Sequence, residues 1–155
     1  MSITLRYSDT RDQAAVILND SFIKVFDNIK SYNPDRPFKP WFRRIIINTA
    51  INHYHKNKKE RILTPFEIHE NNLGRNETIT SSISYEDIIE MVQKLTPAYR
   101  TVFNLHVIEG YTHQEIAQML HIAEGTSKSN LAKAKKNLRV ILEKNLFGME
   151  RKNER

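Results

Sequence analysis

The sequence predicts an all-α protein: two small helical domains joined by a flexible linker, the second a four-helix domain that contains a helix-turn-helix. Three observations predict it. Apolar residues recur at spacings of three and four, the period of a helix buried along one stripe. The stretch ILTPFEIHENNLGRNETITSSIS, residues 62–84, holds no sustained period and is rich in Pro, Gly, Asn, Ser and Thr, which describes a linker. Basic charge is concentrated at two places: residues 36–61 carry eight Lys or Arg against one acid, and residues 125–155 carry nine against three. Two separated basic patches imply two contacts with a polyanion. The expected division is therefore a first domain over 1–61, a linker over 62–84 and a second domain over 85–155.

The elements follow in order. TRDQ, Thr10 to Gln13, has the form of a capping box and starts a long helix. Its apolar positions Ala14, Leu18, Phe22, Val25, Phe26 and Ile29 give the expected buried stripe. YNPDRPFKP, Tyr32 to Pro40, ends that helix, because three prolines remove donors and disfavour helix before each of them. Pro40 suits the first turn of a second helix running to about Lys56. At 100° per residue, Phe42, Ile46, Ile47, Ala50 and Tyr54 occupy its core arc, while Trp41 shares the opposite face with Arg44, Asn48, Asn52 and His55. Fully extended, the linker that follows spans roughly 70 Å.

Beyond it Tyr85, Ile88, Ile89, Val92 and Leu95 mark a stripe, and Thr96 with Pro97 caps a helix ending near Gly110. Thr112 to Glu115 is a full capping box, with Tyr111 and Ile116 placed as a staple. The short helix it opens, about 112–120, leads through His121 and Ile122 into EGTSKSNLAKAKKNLRVILEKNL. That last helix repeats Leu131, Ala134, Leu138 and Ile141 and keeps most of its lysines outside the stripe. A capped helix, a tight turn and a basic helix make a helix-turn-helix, whose second helix enters the major groove. Ile116, Leu120, Ile122 and Leu131 supply its small core, with Ala117 at the close crossing. Side chains near the start of the second helix meet base edges, so Thr126, Lys128, Ser129 and Asn130 are candidate readers, with Lys133 and Lys136 nearer the backbone.

Composition excludes other classes. The longest aliphatic run, Ile45 to Ile47, is far too short to insert in a membrane. The start MSITLRYSDT lacks a secretory pattern and cysteine is absent, which predicts a cytoplasmic protein without disulfides or thiolate metal sites. His53 and His55, two apart, point about 200° from one another on a helix, and no HExxH occurs, so no metal is assigned. No GxGxxG, P-loop or GxSxG motif is present, so neither a cofactor nor an enzyme is expected.

The sequence resembles bacterial RNA polymerase sigma factors of the extracytoplasmic-function group. LTPAYRTVFNLHVIEGYTHQEIAQMLHIAEGTSKSNLAKAKKNLRVIL, Leu95 to Leu142, is similar to their promoter −35 reading domain. DQAAVILNDSFIKVF and FKPWFRRIIINTAINHYHKNKK resemble the polymerase-binding helix and the helix that melts and reads −10. The resemblance implies core RNA polymerase and promoter DNA as partners and admits an anti-sigma factor. It places polymerase contact on Asn19, Asp20 and Lys24. It places −10 recognition on Trp41, Arg44, Asn48, Asn52 and His55, with Tyr32, Phe38 and Lys39 from the preceding loop forming a pocket for a flipped base. Opening DNA without ATP requires capturing unstacked bases, and aromatic platforms beside cations and amides supply that capture.

The chain departs from the family pattern at four positions. Val16 stands where an acid is usual, Asn19 where Gln is, His121 where Gly is and Ser127 where Val is common. SITLRY resembles only the tail of a helix the family carries there, which is expected either of a misplaced start or of a shortened form. A helix-turn-helix regulator that binds duplex DNA without polymerase is the competing expectation; it has no use for the Trp41 face.

Overall fold

The computed structural model describes residues 2–63 and 84–153, with side chains over 2–59 and 84–144. Among the described residues every regular element is helical. The chain divides into two compact units, Met1–Pro65 and Phe66–Arg155. Most of the expected linker, residues 64–83, lies outside the described residues.

In the first unit, α1 (Ser2–Tyr7) and α2 (Arg11–Asn28) are followed by a 3-10 turn at Ile29–Ser31 and by α3 (Phe38–Leu63). The Thr10 hydroxyl accepts from the Gln13 amide at 3.2 Å, as the capping box requires. The return bond lands one residue early, because the Asp9 amide donates to Gln13 Oε1 at 3.0 Å. α3 starts two residues before Pro40 and runs past Lys56 to Leu63. Pro40 sits in the first turn, where its missing N–H belongs to the donors that lack a helical partner anyway.

The core of this unit corrects the expected stripe of α2. Ala14, Ile17, Ser21 and Val25 are the buried positions, facing Ile46, Ile47, Ala50 and Ile51 of α3. Phe22, Phe26 and Ile29 are exposed instead. The physical reason is the size of the residues along the buried row. Ala14 and Ser21 let the α3 backbone approach closely, and Ser21 satisfies its own hydroxyl by donating to the Ile17 carbonyl at 2.6 Å. Bulky rings on that row would hold the helices apart, so they fall on its flank.

The second unit contains α4 (Tyr85–Gln93), α5 (Pro97–Phe103), a π-helical turn at Asn104–Ile108, α6 (His113–Leu120) and α7 (Glu124–Asn153). Ile89, Met91, Val92, Leu95, Val102, Leu105, Ile116, Leu120, Leu131 and Ala134 form its core. Tyr85 and Ile88, expected on the α4 stripe, lie exposed, and Met91 takes the inward place. A capping box joins Ser84 and Asp87 at the start of α4. Arg100, buried to 1% exposure, donates to the Gln93 carbonyl at 3.0 Å and fixes the α4–α5 corner. The helix expected to end near Gly110 does so through the π turn, and Gly110 takes φ 81°, which its missing Cβ permits without strain.

The helix-turn-helix is present as α6 and α7. Thr112 and Glu115 make both bonds of their capping box. His121 closes α6 in the left-handed region, at φ 52° and ψ 52°, and the Ile122 amide donates to the Ala117 carbonyl at 3.0 Å. Ile122, expected in the small core, is only half-buried there. Among the described residues no helix is long and apolar enough to cross a membrane.

Candidate nucleic-acid interfaces

The first interface grows from the loop between α2 and α3. Asn33 accepts the Asp35 amide at 2.9 Å in an Asx turn, and the Tyr32 hydroxyl donates to the Arg36 carbonyl at 2.5 Å. These bonds fold the proline-rich stretch back on the first turn of α3. Three expected residues meet there: the Tyr32 ring lies 5.0 Å from Trp41 and 5.6 Å from Phe38, and Phe38 lies 5.5 Å from Trp41. Trp41 is half-buried against its neighbours, not enclosed, and Phe38 is 44% exposed. Anchor and platform are therefore compatible roles for one indole.

Two aromatics escaped the sequence reading. Phe42 lies 5.7 Å from Phe38 and 5.2 Å from Phe22 of α2, so the cluster continues across to the neighbouring helix. Helical spacing puts Phe42 in the core arc and Phe22 on the buried stripe, and neither position predicts their contact.

From this cluster Arg44, Asn48 and Asn52 run along α3 as an exposed row at spacings of four, and Lys39 is exposed at its start. At 1.5 Å per residue Asn52 lies about 16 Å, and His55 about 21 Å, beyond Trp41. The arrangement is a strip rather than one pocket. The half-buried His55 ring packs edge-on to Tyr54 at 5.6 Å, outside the aromatic cluster.

The expected polymerase contacts separate. Asn19 is exposed on α2 and Lys24 is half-buried. Asp20 Oδ2 meets His53 Nε2 of α3 at 2.7 Å, so its carboxylate already ties the two helices. Around Asn19 lies an outward apolar row that the one-stripe reading overlooked: Phe26 is 75% exposed, Ile23 60% and Val16 50%. The signal was present in the sequence, since α2 holds more apolar residues than one stripe can bury. Exposed apolar clusters of this kind mark interaction surfaces.

On α7, about 100° per residue from buried Ser127 sets Thr126, Ser129, Lys133 and Lys136 on one outward strip, with Lys128 and Asn130 on its two flanks. All except the half-buried Asn130 are exposed. Lys128 Nζ pairs with Glu124 Oε1 at 2.7 Å, and that contact holds the Glu124 carboxyl below its ordinary value. Lys133 Nζ stands 6.0 Å from the Tyr99 ring, leaning toward α5. The Ser129 hydroxyl donates to the Thr126 carbonyl at 3.0 Å. Among the described residues no group of three or more His, Cys, Asp or Glu is placed to hold a metal ion.

Sigma-70 region 2 matches residues 1–60 and sigma-70 region 4 matches residues 85–138. RNA polymerase sigma factor SigV of Bacillus subtilis (strain 168) is 26% identical over 142 residues, covering 92% of this chain and 83% of its own. ECF RNA polymerase sigma factor SigW of the same organism is 27% identical over 138 residues, covering 82% and 74%. The sigma factor RpoE of Bartonella quintana, solved in complex with the anti-sigma factor NepR, shares the fold with a TM-score of 0.57 at 20% identity, over 90% of this chain and 87% of that one. Matches to both conserved regions, and relatives similar along most of their own length, leave one conclusion: the chain belongs to the extracytoplasmic-function group of RNA polymerase sigma factors, which direct promoter-specific transcription initiation.

Proposed function

We propose that this sigma factor divides promoter recognition between its two helical domains, residues 1–61 capturing melted −10 DNA and residues 85–155 reading −35 duplex, across the linker of residues 62–84. The carrying observation is the Tyr32, Phe38 and Trp41 cluster, half-open at the head of a helix whose exposed row is Arg44, Asn48 and Asn52. Stacking on such rings returns about 1–3 kcal/mol per base, enough to offset much of the unstacking cost, while Lys39 and Arg44 hold the strand by its phosphates. His55 lies farthest along the strip, where a downstream nucleotide would pass.

In the second domain, Thr126, Ser129 and Lys128 meet base edges near the start of α7, with Asn130 on the flank and Lys133 and Lys136 on phosphate. A regulator that binds only duplex is not favoured, because residues 1–60 would be a region 2 without a task. Core RNA polymerase docks on the outward face of α2, where Asn19 is surrounded by Val16, Ile23 and Phe26 and flanked by Asp20 and Lys24. An anti-sigma factor is a further proposed partner, since RpoE is bound by NepR. The family is not enzymatic, and the chain acts with polymerase in the cytoplasm.

Reconstitution tests this reading. Core polymerase with the purified chain transcribes a subset of a promoter library that core alone leaves silent, and scrambling either element of a selected promoter abolishes the transcript. Silence of the library with the chain added, or indifference to both elements, would defeat it.

A further inference from the structure

The helix-turn-helix contains a hydrogen-bonded and stacked arrangement that DNA contact alone does not require. His113, the first residue of α6, places Nδ1 2.9 Å from the hydroxyl of Ser127, which is fully buried in the first turns of α7. On its other face the His113 ring stacks on His106 from the π turn, at 4.3 Å between centroids and 13° between planes. His106 Nδ1 lies 2.8 Å from the Tyr111 carbonyl, which can only accept, so that nitrogen carries the proton and donates. The ring is thereby pinned, and His113 is held between a fixed imidazole and the helix that bears the candidate base readers Thr126 and Lys128.

We infer that His113 is a positioning residue for −35 reading: through Ser127 it fixes the rotation and depth of α7, and its stack on His106 makes that hold acid-sensitive. The inference rests on the reading of the second domain as the −35 reader. Ser127 stands where the resemblance expects Val, so this chain replaces an apolar packing contact with a hydrogen bond whose partner titrates.

The charged surroundings set the direction. α7 presents Lys128, Glu124 and Lys135 toward His113, and the π turn presents His106. On its own helix Glu115 is turned back to the Thr112 amide and hydroxyl. Burial first, then His106 and Lys128, hold His113 below its ordinary value of 6.5, with Glu124 acting the other way. The folded state therefore binds fewer protons than the unfolded one in this range. The stability tied to the neutral ring is complete above about 6.5 and declines as pH falls below it. A proton added to His113 places charge against the stacked His106 ring and beside Lys128, both of which oppose it.

The test uses the holoenzyme, formed with core polymerase, and a promoter that it selects. The quantity read is the affinity for that promoter divided by the affinity for the same DNA with −35 scrambled, so that pH effects on the polymerase cancel. His113→Ala and Ser127→Val each lower this ratio at pH 8 by about five-fold, the worth of one ordinary hydrogen bond, and the double variant loses no more than either alone. The second substitution fills the space of the hydroxyl, so it reports the bond even where the first impairs folding. In the unsubstituted protein the ratio falls from pH 8 to pH 6, and His106→Phe, which keeps the stack without the second charge, reduces that fall. Unchanged ratios in both single variants, additive losses, or a pH fall unaltered by His106→Phe would overturn the inference while leaving −35 dependence intact. A wild-type ratio of one at every pH would instead overturn the −35 reading itself, and this inference with it.

Discussion

Replacing Trp41 by Ala separates the packing role of its indole from the proposed role in stacking an unpaired base. The ring packs on Tyr32 at 5.0 Å and on Phe38 at 5.5 Å. Each such pair is worth about 0.5–1.5 kcal/mol, so the first domain loses about 1–3 kcal/mol of stability, short of the loss for a fully enclosed Trp because this one is half-buried. That loss affects every function of the domain equally. A stacked base adds a second term of about 1–3 kcal/mol that exists only once strands have parted, about 5- to 150-fold in the equilibrium between closed and open complexes. The assay compares permanganate reactivity of unpaired thymines at −10 with binding of the same holoenzyme to duplex promoter at a temperature where it stays closed. Trp41→Ala lowers reactivity by that factor beyond any loss in duplex binding, and Trp41→Phe, which keeps a stacking face, restores part of it. Equal losses in the two measurements would show that the indole merely anchors the loop.

Three further outcomes follow from the same geometry. Phe26→Ser, on a ring that is 75% exposed, leaves the thermal midpoint of the chain within about 2 °C but weakens binding to core polymerase in a titration; unaltered affinity removes the outward row of α2 from that interface. Asp20→Asn and His53→Gln both break the 2.7 Å tie between α2 and α3, a half-buried pair worth about 1 kcal/mol in denaturant unfolding. If Asp20 also touches polymerase, Asp20→Asn alone loses core affinity; equal losses in the two variants assign the carboxylate to the helix pair. His121→Gly relieves a left-handed residue and raises the stability of the second unit by about 0.5–1 kcal/mol, read as a higher urea midpoint at unchanged slope.

The candidate sites were legible in unequal measure. Thr126, Ser129, Lys133 and Lys136 could be placed on one strip of α7 because helical rotation alone sets their direction. The exposed row Arg44, Asn48 and Asn52 followed from the same arithmetic; of the expected α3 core arc Ile46, Ile47 and Ala50 are buried, Phe42 and Tyr54 are only half-buried, and Thr49 and Ile51 join the core. The family resemblance places polymerase contact on Asp20. Its partner His53 lies 33 residues away, and no local pattern could reveal that pairing.

The sequence by itself determined the helix starts at Thr10 and Thr112, the stop near Gly110 and the tight turn at His121. Each of these is settled among residues within five positions of one another, where sterics and hydrogen bonds to the nearest amides decide. Tertiary structure alone decided which apolar row of α2 is buried, that five rings from Phe22 to Tyr32 touch, and that His106 and His113 stack behind Ser127. Those outcomes depend on how closely one helix backbone can approach another. Ala14 and Ser21 permit that approach and Phe22 does not, a comparison that has meaning only once α3 is in place.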